Sequence, residues 1–161
     1  MASFLIIYTF TLMIKKWKVS TFDDLSKIEL HNLLILRQEV FIVEQNCPYQ
    51  DADKKDFNSH HLMGFDQNNQ LIAYLRIVGP GVSYKEVSLG RILTHISHRG
   101  TGLGKETVKM GLQFTESIYG KVAIKISAQS HLAPFYKSFD FESTGKEYLE
   151  DDIPHTEMIR Y

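Results

Sequence analysis

Three glycines fall within five positions at Gly100, Gly102 and Gly104, after an apolar run that ends at Thr94 and before a helical pattern that begins at Leu103. Such a turn suits a phosphate. Glycines let the backbone come close, and the unpaired N–H groups of a first helical turn point at the anion. A Walker A loop fails here, because Arg99 stands at its first glycine and Glu106 at its Ser/Thr magnesium ligand. A dinucleotide fingerprint fails because Lys105 stands at its third glycine. The pattern Arg99-x-x-Gly102-x-Gly104 remains. Further along, Phe135-Tyr136-Lys137-Ser138-Phe139-Asp140-Phe141 gathers four aromatic side chains within seven positions.

The other reactive side chains are less ordered in spacing. Glu44, Glu39, His95 and His131 could each take a proton. Cys47 is followed by Pro48 and has no histidine at a fixed spacing, so a nucleophilic role is disfavoured. His60, His61, His95, His98 and His131 match no ligand pattern, and no metal is expected. Asp51, Asp53 and Asp56 resemble part of a calcium loop without its glycine and closing glutamate. They read as a solvated or substrate-facing acidic patch. Arg91 shares the alternation of Val87, Leu89 and Leu93, so an inward arginine needs a partner, Glu44 or Glu39.

The elements that must position these groups follow from periodicity. Lys16–Phe22 alternates as a strand, and a helix is expected over Ser26–Phe41, followed by a loop from Val43 to Asp53. Strands are expected at His60–Asp66 and Leu71–Val78, joined by Gln67–Gln70, then at Val87–Thr94 with a bulge near Gly90. Leu103–Tyr119 reads as a long helix closed by Gly120, with Val108, Leu112, Phe114 and Ile118 inward. Val122–Ser127, Phe141–Thr144 and Thr156–Tyr161 read as strands, Leu132–Phe139 as a short helix, and Glu147–Pro154 as an acidic loop. The order predicts a mixed α/β domain with helices on the sheet faces.

The Arg99–Gly104 pattern resembles the pyrophosphate loop of the GNAT superfamily of N-acetyltransferases, and Phe135–Phe141 resembles that family's F-Y-x-x-x-G-F helix with Asp140 in place of glycine. Arg37-x-x-Val40-Phe41-x-Val43-Glu44-Gln45-x-Cys47-Pro48-Tyr49-x-Asp51-x-Asp53, Gly90-Arg91, Ala128–Leu132 and Glu150–His155 are similar to the ElaA-type branch. The resemblance spans 13–161 and implies one acetyltransferase domain, with residues 1–12 as an extension outside it. It also implies an α/β (α+β) fold with a mainly antiparallel sheet splayed between its fourth and fifth strands.

The implied reaction is direct transfer of acetyl from acetyl-CoA to a primary amine of a small molecule or peptide. Arg99, Gly100, Thr101, Gly102, Leu103, Gly104 and Lys105 would hold the pyrophosphate. Ile92, Leu93, Thr94 and His131 would line the rest of the cofactor, with an N–H near Leu93 polarising the thioester. Tyr136 matches the general acid. Glu44 is the acceptor-side carboxylate, base or substrate anchor. The competing class is a non-catalytic acyl-CoA-binding or sensing module on the same fold.

Bulk properties set outer limits. The 161 residues suit one domain, and 43% hydrophobic with 23% charged residues suits an ordinary globular chain. A net charge of −1 lacks the basic footprint of a general nucleic-acid binder. The apolar stretch Phe4–Ile14 is too short to span a bilayer, so no membrane partner is expected. The single cysteine allows no intrachain disulfide and fits a reducing, cytoplasmic setting. A homodimer would cover an apolar N-terminus.

Overall fold

In a computed structural model, seven strands form one sheet among the described residues. They are β1 (Lys16–Thr21), β2 (Ser59–Phe65), β3 (Leu71–Val78), β4 (Val87–Thr94), β5 (Ile124–Gln129), β6 (Glu142–Glu150) and β7 (Ile153–Arg160). The structure describes residues 14–161, so the expected extension 1–12 and its boundary lie outside the described residues. The strand order is β1-β2-β3-β4-β5-β7-β6, antiparallel throughout except for β4–β5. That parallel pair is short: only Val87–Ile124 and Ser88–Lys125 are in register, and beyond them the strands part.

Helices α1 (Lys27–Gln38) and α2 (Leu103–Tyr119) cover opposite faces, and the short α3 (Ala133–Lys137) follows β5. The alternation of β3 shows the two faces. Leu75 and Ile77 join Val108 of α2, whereas Tyr74 joins Leu33 and Leu36 of α1. A capping box starts α1: Ser26 Oγ accepts from the Glu29 N–H at 3.2 Å, and the Glu29 carboxylate accepts from the Ser26 N–H at 3.0 Å. Gly111 lets α2 sit directly on β3, since a Cβ there would come within 2.5 Å of Leu75 Cδ1.

Several expected elements change shape. The first helix ends at Gln38, and Glu39–Glu44 forms a π-helical turn that holds Glu44. The expected loop is followed by a 3-10 turn at Lys54–Asn58. The acidic loop Glu147–Pro154 is instead the end of a long hairpin, in which Asp151 and Asp152 alone form the turn. Both have φ near +50 to +63°, the left-handed pair a tight hairpin requires and Asp tolerates. Ile118 is 36% exposed rather than inward, while Val108 is fully buried. Asp140 takes φ +64°, as the glycine it replaces would.

Candidate active site

The β4–β5 gap opens into a cavity of about 620 Å³. Among its lining groups are Ile92, Leu93 and Thr94 on the free edge of β4, Tyr136 on α3, and Gly104 and Arg99 beside the start of α2. Glu44 and His131 also line it. The structure therefore brings together most of the residues singled out by the sequence. Leu103 is buried with Ile14, Ile72 and Ala73 and anchors the first turn of α2, while Lys105 is exposed.

The start of α2 is open. Gly102 is its N-cap at φ +91°, and no side chain caps it. Gly100 has φ +74°, so these two glycines meet a backbone need. Gly104 does not have a left-handed φ. Open space surrounds the position of its missing Cβ, as at Gly100 and Gly102. A glycine there keeps the helix N–H groups accessible, and the surface suits a diphosphate. Thr101 donates its hydroxyl to the His98 carbonyl and ties the turn to the preceding 3-10 segment.

Tyr136, which lines the gap, is 7% exposed. Its hydroxyl has no hydrogen-bond partner among the described residues, and burial pushes its pKa to about 12. Glu44 is held by both Arg99 nitrogens, at 2.5 and 2.8 Å. The hydrogen bond from Arg99 keeps its pKa below the usual carboxylate value.

The partner of Arg91 is Asp51, and neither Glu44 nor Glu39. Arg91 Nε donates to Asp51 Oδ1 at 2.7 Å. The reason is a one-residue bulge in β4. Gly90 pairs with Arg76 and Leu93 with Tyr74, so three steps on β4 oppose two on β3. Arg91 takes φ +52° within that bulge. The bulge lies at Arg91–Ile92, directly after Gly90 as expected, and it breaks the alternation: Val87 and Leu89 face α2, while Leu93 packs on the α1 side.

The acidic patch is also different from expectation. Asp51 and Asp56 are 5% and 6% exposed, and with Asp53 they form ion pairs to three arginines. Arg37, fully buried, donates to Asp51 Oδ2 at 2.7 Å and Asp56 Oδ1 at 2.8 Å. Arg76 donates to Asp53 and Asp56, both at 2.7 Å. Three guanidinium groups thus balance three carboxylates, which is what makes their burial tolerable. Burial alone would raise Asp53 and Asp56; their arginine hydrogen bonds outweigh it and hold both below the usual value. His61 completes the layer. Its Nε2 lies 3.0 Å from the Asp56 carbonyl, which only accepts, so Nδ1 accepts from the Tyr74 hydroxyl at 2.7 Å. Burial lowers its pKa and keeps it neutral. Two signals could have exposed this network: Arg37 on the apolar stripe of α1, and Arg76 inside the apolar run of β3.

The wall opposite β4 comes from the β5–β7 side. Tyr148 donates to Ser127 Oγ at 2.6 Å, and Ser127 donates to Glu150 Oε2 at 3.2 Å. Ser127, Glu150 and His155 line the cavity. Among the described residues no group of His, Cys, Asp or Glu could hold a metal, and no helix is long and apolar enough to cross a membrane.

A splayed parallel pair beside an open, glycine-lined helix start defines an acyl-CoA-dependent acyltransferase fold. The chain belongs to the GNAT acetyltransferase family, whose domain matches residues 30–161, and within it the chain is ElaA-like. It is 36% identical to the protein ElaA of Escherichia coli over 90% of this chain and 95% of that one. The crystal structure of E. coli ElaA superposes with a TM-score of 0.85, covering 92% of this chain and 100% of the other. A UPF0039 protein of Synechocystis is 43% identical over 89% of this chain and 93% of its own. The crystal structure of an acyl-CoA N-acyltransferase from Pseudomonas aeruginosa, 40% identical, matches with a TM-score of 0.86 over 91% and 99% of the two chains.

Proposed function

We propose that this protein transfers an acetyl group from acetyl-CoA directly to a primary amine. The observation that carries the reading is Tyr136: a protonated phenol without a hydrogen-bond partner among the described residues, lining the gap between β4 and β5. The open N-terminus of α2 supports a pyrophosphate at one end of that gap, held by N–H groups from Gly100 to Lys105. A thioester then lies along the free edge of β4, where an N–H near Leu93 stabilises the oxyanion of the tetrahedral intermediate.

The amine attacks as its neutral form, forming the C–N bond, and collapse breaks the C–S bond. The departing sulfur takes a proton from Tyr136, the nitrogen gives one to solvent in the open gap, and solvent restores the Tyr136 proton, so the net change is one proton from nitrogen to sulfur. Glu44 serves better as an anchor than as a base. Its carboxylate is bound to Arg99 and its proton affinity is lowered, which suits holding a cation more than removing a proton. The acidic groups Glu150 and Asp151 on the opposite wall support a cationic acceptor. A cytoplasmic setting agrees with this chemistry, because acetyl-CoA is a metabolite of the cell interior.

The test is free CoA release from acetyl-CoA with polyamines, amino acids and peptides, with mass analysis of each acceptor. Thiol release matched by acetylation of one amine class is the expected result. Tight acetyl-CoA binding without turnover on any amine would overturn the enzyme reading in favour of a sensing module.

A further inference from the structure

Arg91, which lines the cavity, is held by an ion pair and two aromatic rings. Its Nε donates to Asp51 Oδ1 at 2.7 Å, and its Nη2 reaches the Asp51 carbonyl at 3.4 Å. Its guanidinium carbon lies 5.8 Å from the Phe41 ring centroid and 5.5 Å from that of Tyr49. Asp51 is fixed in turn: Arg37 donates to its other carboxylate oxygen and to its carbonyl, and the Tyr49 hydroxyl donates to Oδ1 at 3.1 Å. All this restraint converges on a residue with φ +52°, in the one-residue bulge of the strand that borders the gap. A long side chain adopts that region reluctantly, and it persists where the surroundings enforce it.

We propose that Asp51 is a positioning residue, which acts through Arg91 to hold the β4 bulge in register with the reacting carbonyl. The inference rests on the acyl-transfer reading of this gap. The bulge decides which N–H groups between Gly90 and Thr94 turn away from β3 and toward the cavity. Displacing such a donor by about 1 Å costs on the order of 100-fold in rate. The clamp spans from α1, through the Asp51 loop, to β4. One arrangement of charges therefore sets both the acceptor-side loop and the donor-side strand.

The experiment compares Arg91→Gly, Arg91→Lys, Asp51→Asn and the Asp51→Asn/Arg91→Gly double variant. Glycine adopts φ +52° without strain, so Arg91→Gly keeps the bulge accessible while removing the clamp together with a cavity-lining side chain; Asp51→Asn breaks the clamp with that side chain still in place. Expected is a fall of about 10- to 100-fold in kcat for Arg91→Gly and Asp51→Asn, with acetyl-CoA affinity within about threefold. The double variant falls no further than Asp51→Asn, because Asp51→Asn already breaks the Arg91 connection along with that to Arg37. In the free protein, the 15N amide resonances of Ile92 and Leu93 shift in Asp51→Asn, a substitution remote in sequence from both.

Full kcat in Arg91→Gly, multiplicative losses in the double variant, or unmoved Ile92 and Leu93 amides would overturn the proposal. Should Asp51→Asn fail to fold, Arg91→Gly and Arg91→Lys decide alone, lysine being unable to reproduce the forked contact. A wild-type protein inactive on every amine would sink the acyl-transfer reading instead, and the amide shifts would still report whether the clamp holds the bulge.

Discussion

Replacing Tyr136 with phenylalanine isolates one hydroxyl. The ring keeps its place among Ala128, Phe141 and Met158, and no described group loses a hydrogen bond. Stability should therefore change little. The magnitude of the kinetic effect follows from two proton affinities. The phenol sits at about 12, and a thiol leaving group near ~8.5. Complete proton transfer from tyrosine to thiolate is therefore uphill, on the order of 5 kcal/mol. Tyr136 thus assists mainly by hydrogen bonding to the sulfur as the C–S bond lengthens. That places its contribution at the lower end of general-acid catalysis, about 100-fold or about 2.7 kcal/mol. The assay is steady-state thiol release at saturating acetyl-CoA, with CoA binding measured alongside. A kcat fall of about 100-fold with unchanged binding and unfolding midpoint is expected. Retention of more than about a third of wild-type kcat would refute the assignment. A parallel loss of binding and stability would make the residue structural.

Two predictions concern the scaffold. His61 has a pKa below its unfolded value of about 6.5, so the unfolded chain binds more protons below that pH. Its contribution is complete above about pH 6.5 and declines as pH falls, ahead of a further loss below about pH 4, where the unfolded chain's carboxylates bind protons that folded Asp53 and Asp56 still resist. Thermal unfolding from pH 7.5 to 5 should show a falling midpoint that His61→Gln flattens; a flat wild-type profile would contradict this. Gly111→Ala improves helix propensity by about 1 kcal/mol, yet its Cβ meets a fully buried Leu75 at 2.5 Å. Overpacking of about 1–3 kcal/mol should win, leaving a net destabilisation in urea unfolding. A gain in stability would show that Leu75 yields freely.

The parts of this fold legible in the sequence are those set by local chemistry. The amphipathic α2, its glycine start and the apolar β3 run follow from period and turn residues. The aromatic helix carrying Tyr136 was legible through its neighbours. Arg91 shows where that logic stops. One inserted residue reverses the facing of everything beyond it, and no alternation pattern marks the insertion. The aspartates at 51, 53 and 56 look solvated in sequence because their partners, Arg37, Arg76 and Arg91, come from three separate elements. The hairpin at Asp151-Asp152 was hidden for another reason: its flanking strand β6 is exposed along almost its whole length and carries no apolar period.

The central claim is that the β4–β5 gap holds acyl-CoA by its diphosphate at the start of α2. Gly104→Asp tests it, since Gly104 lies in the first turn without left-handed strain. An acidic side chain there favours the helix while placing a negative charge where the diphosphate must sit. The measurement is the unfolding midpoint with and without acetyl-CoA at about 100 times its Kd for the wild type, a stabilisation of about 2.7 kcal/mol or roughly 5–10 °C. The account predicts that shift in the wild type and its loss in Gly104→Asp, whose own midpoint is no lower. An equal shift in both proteins, or none in the wild type, would contradict it.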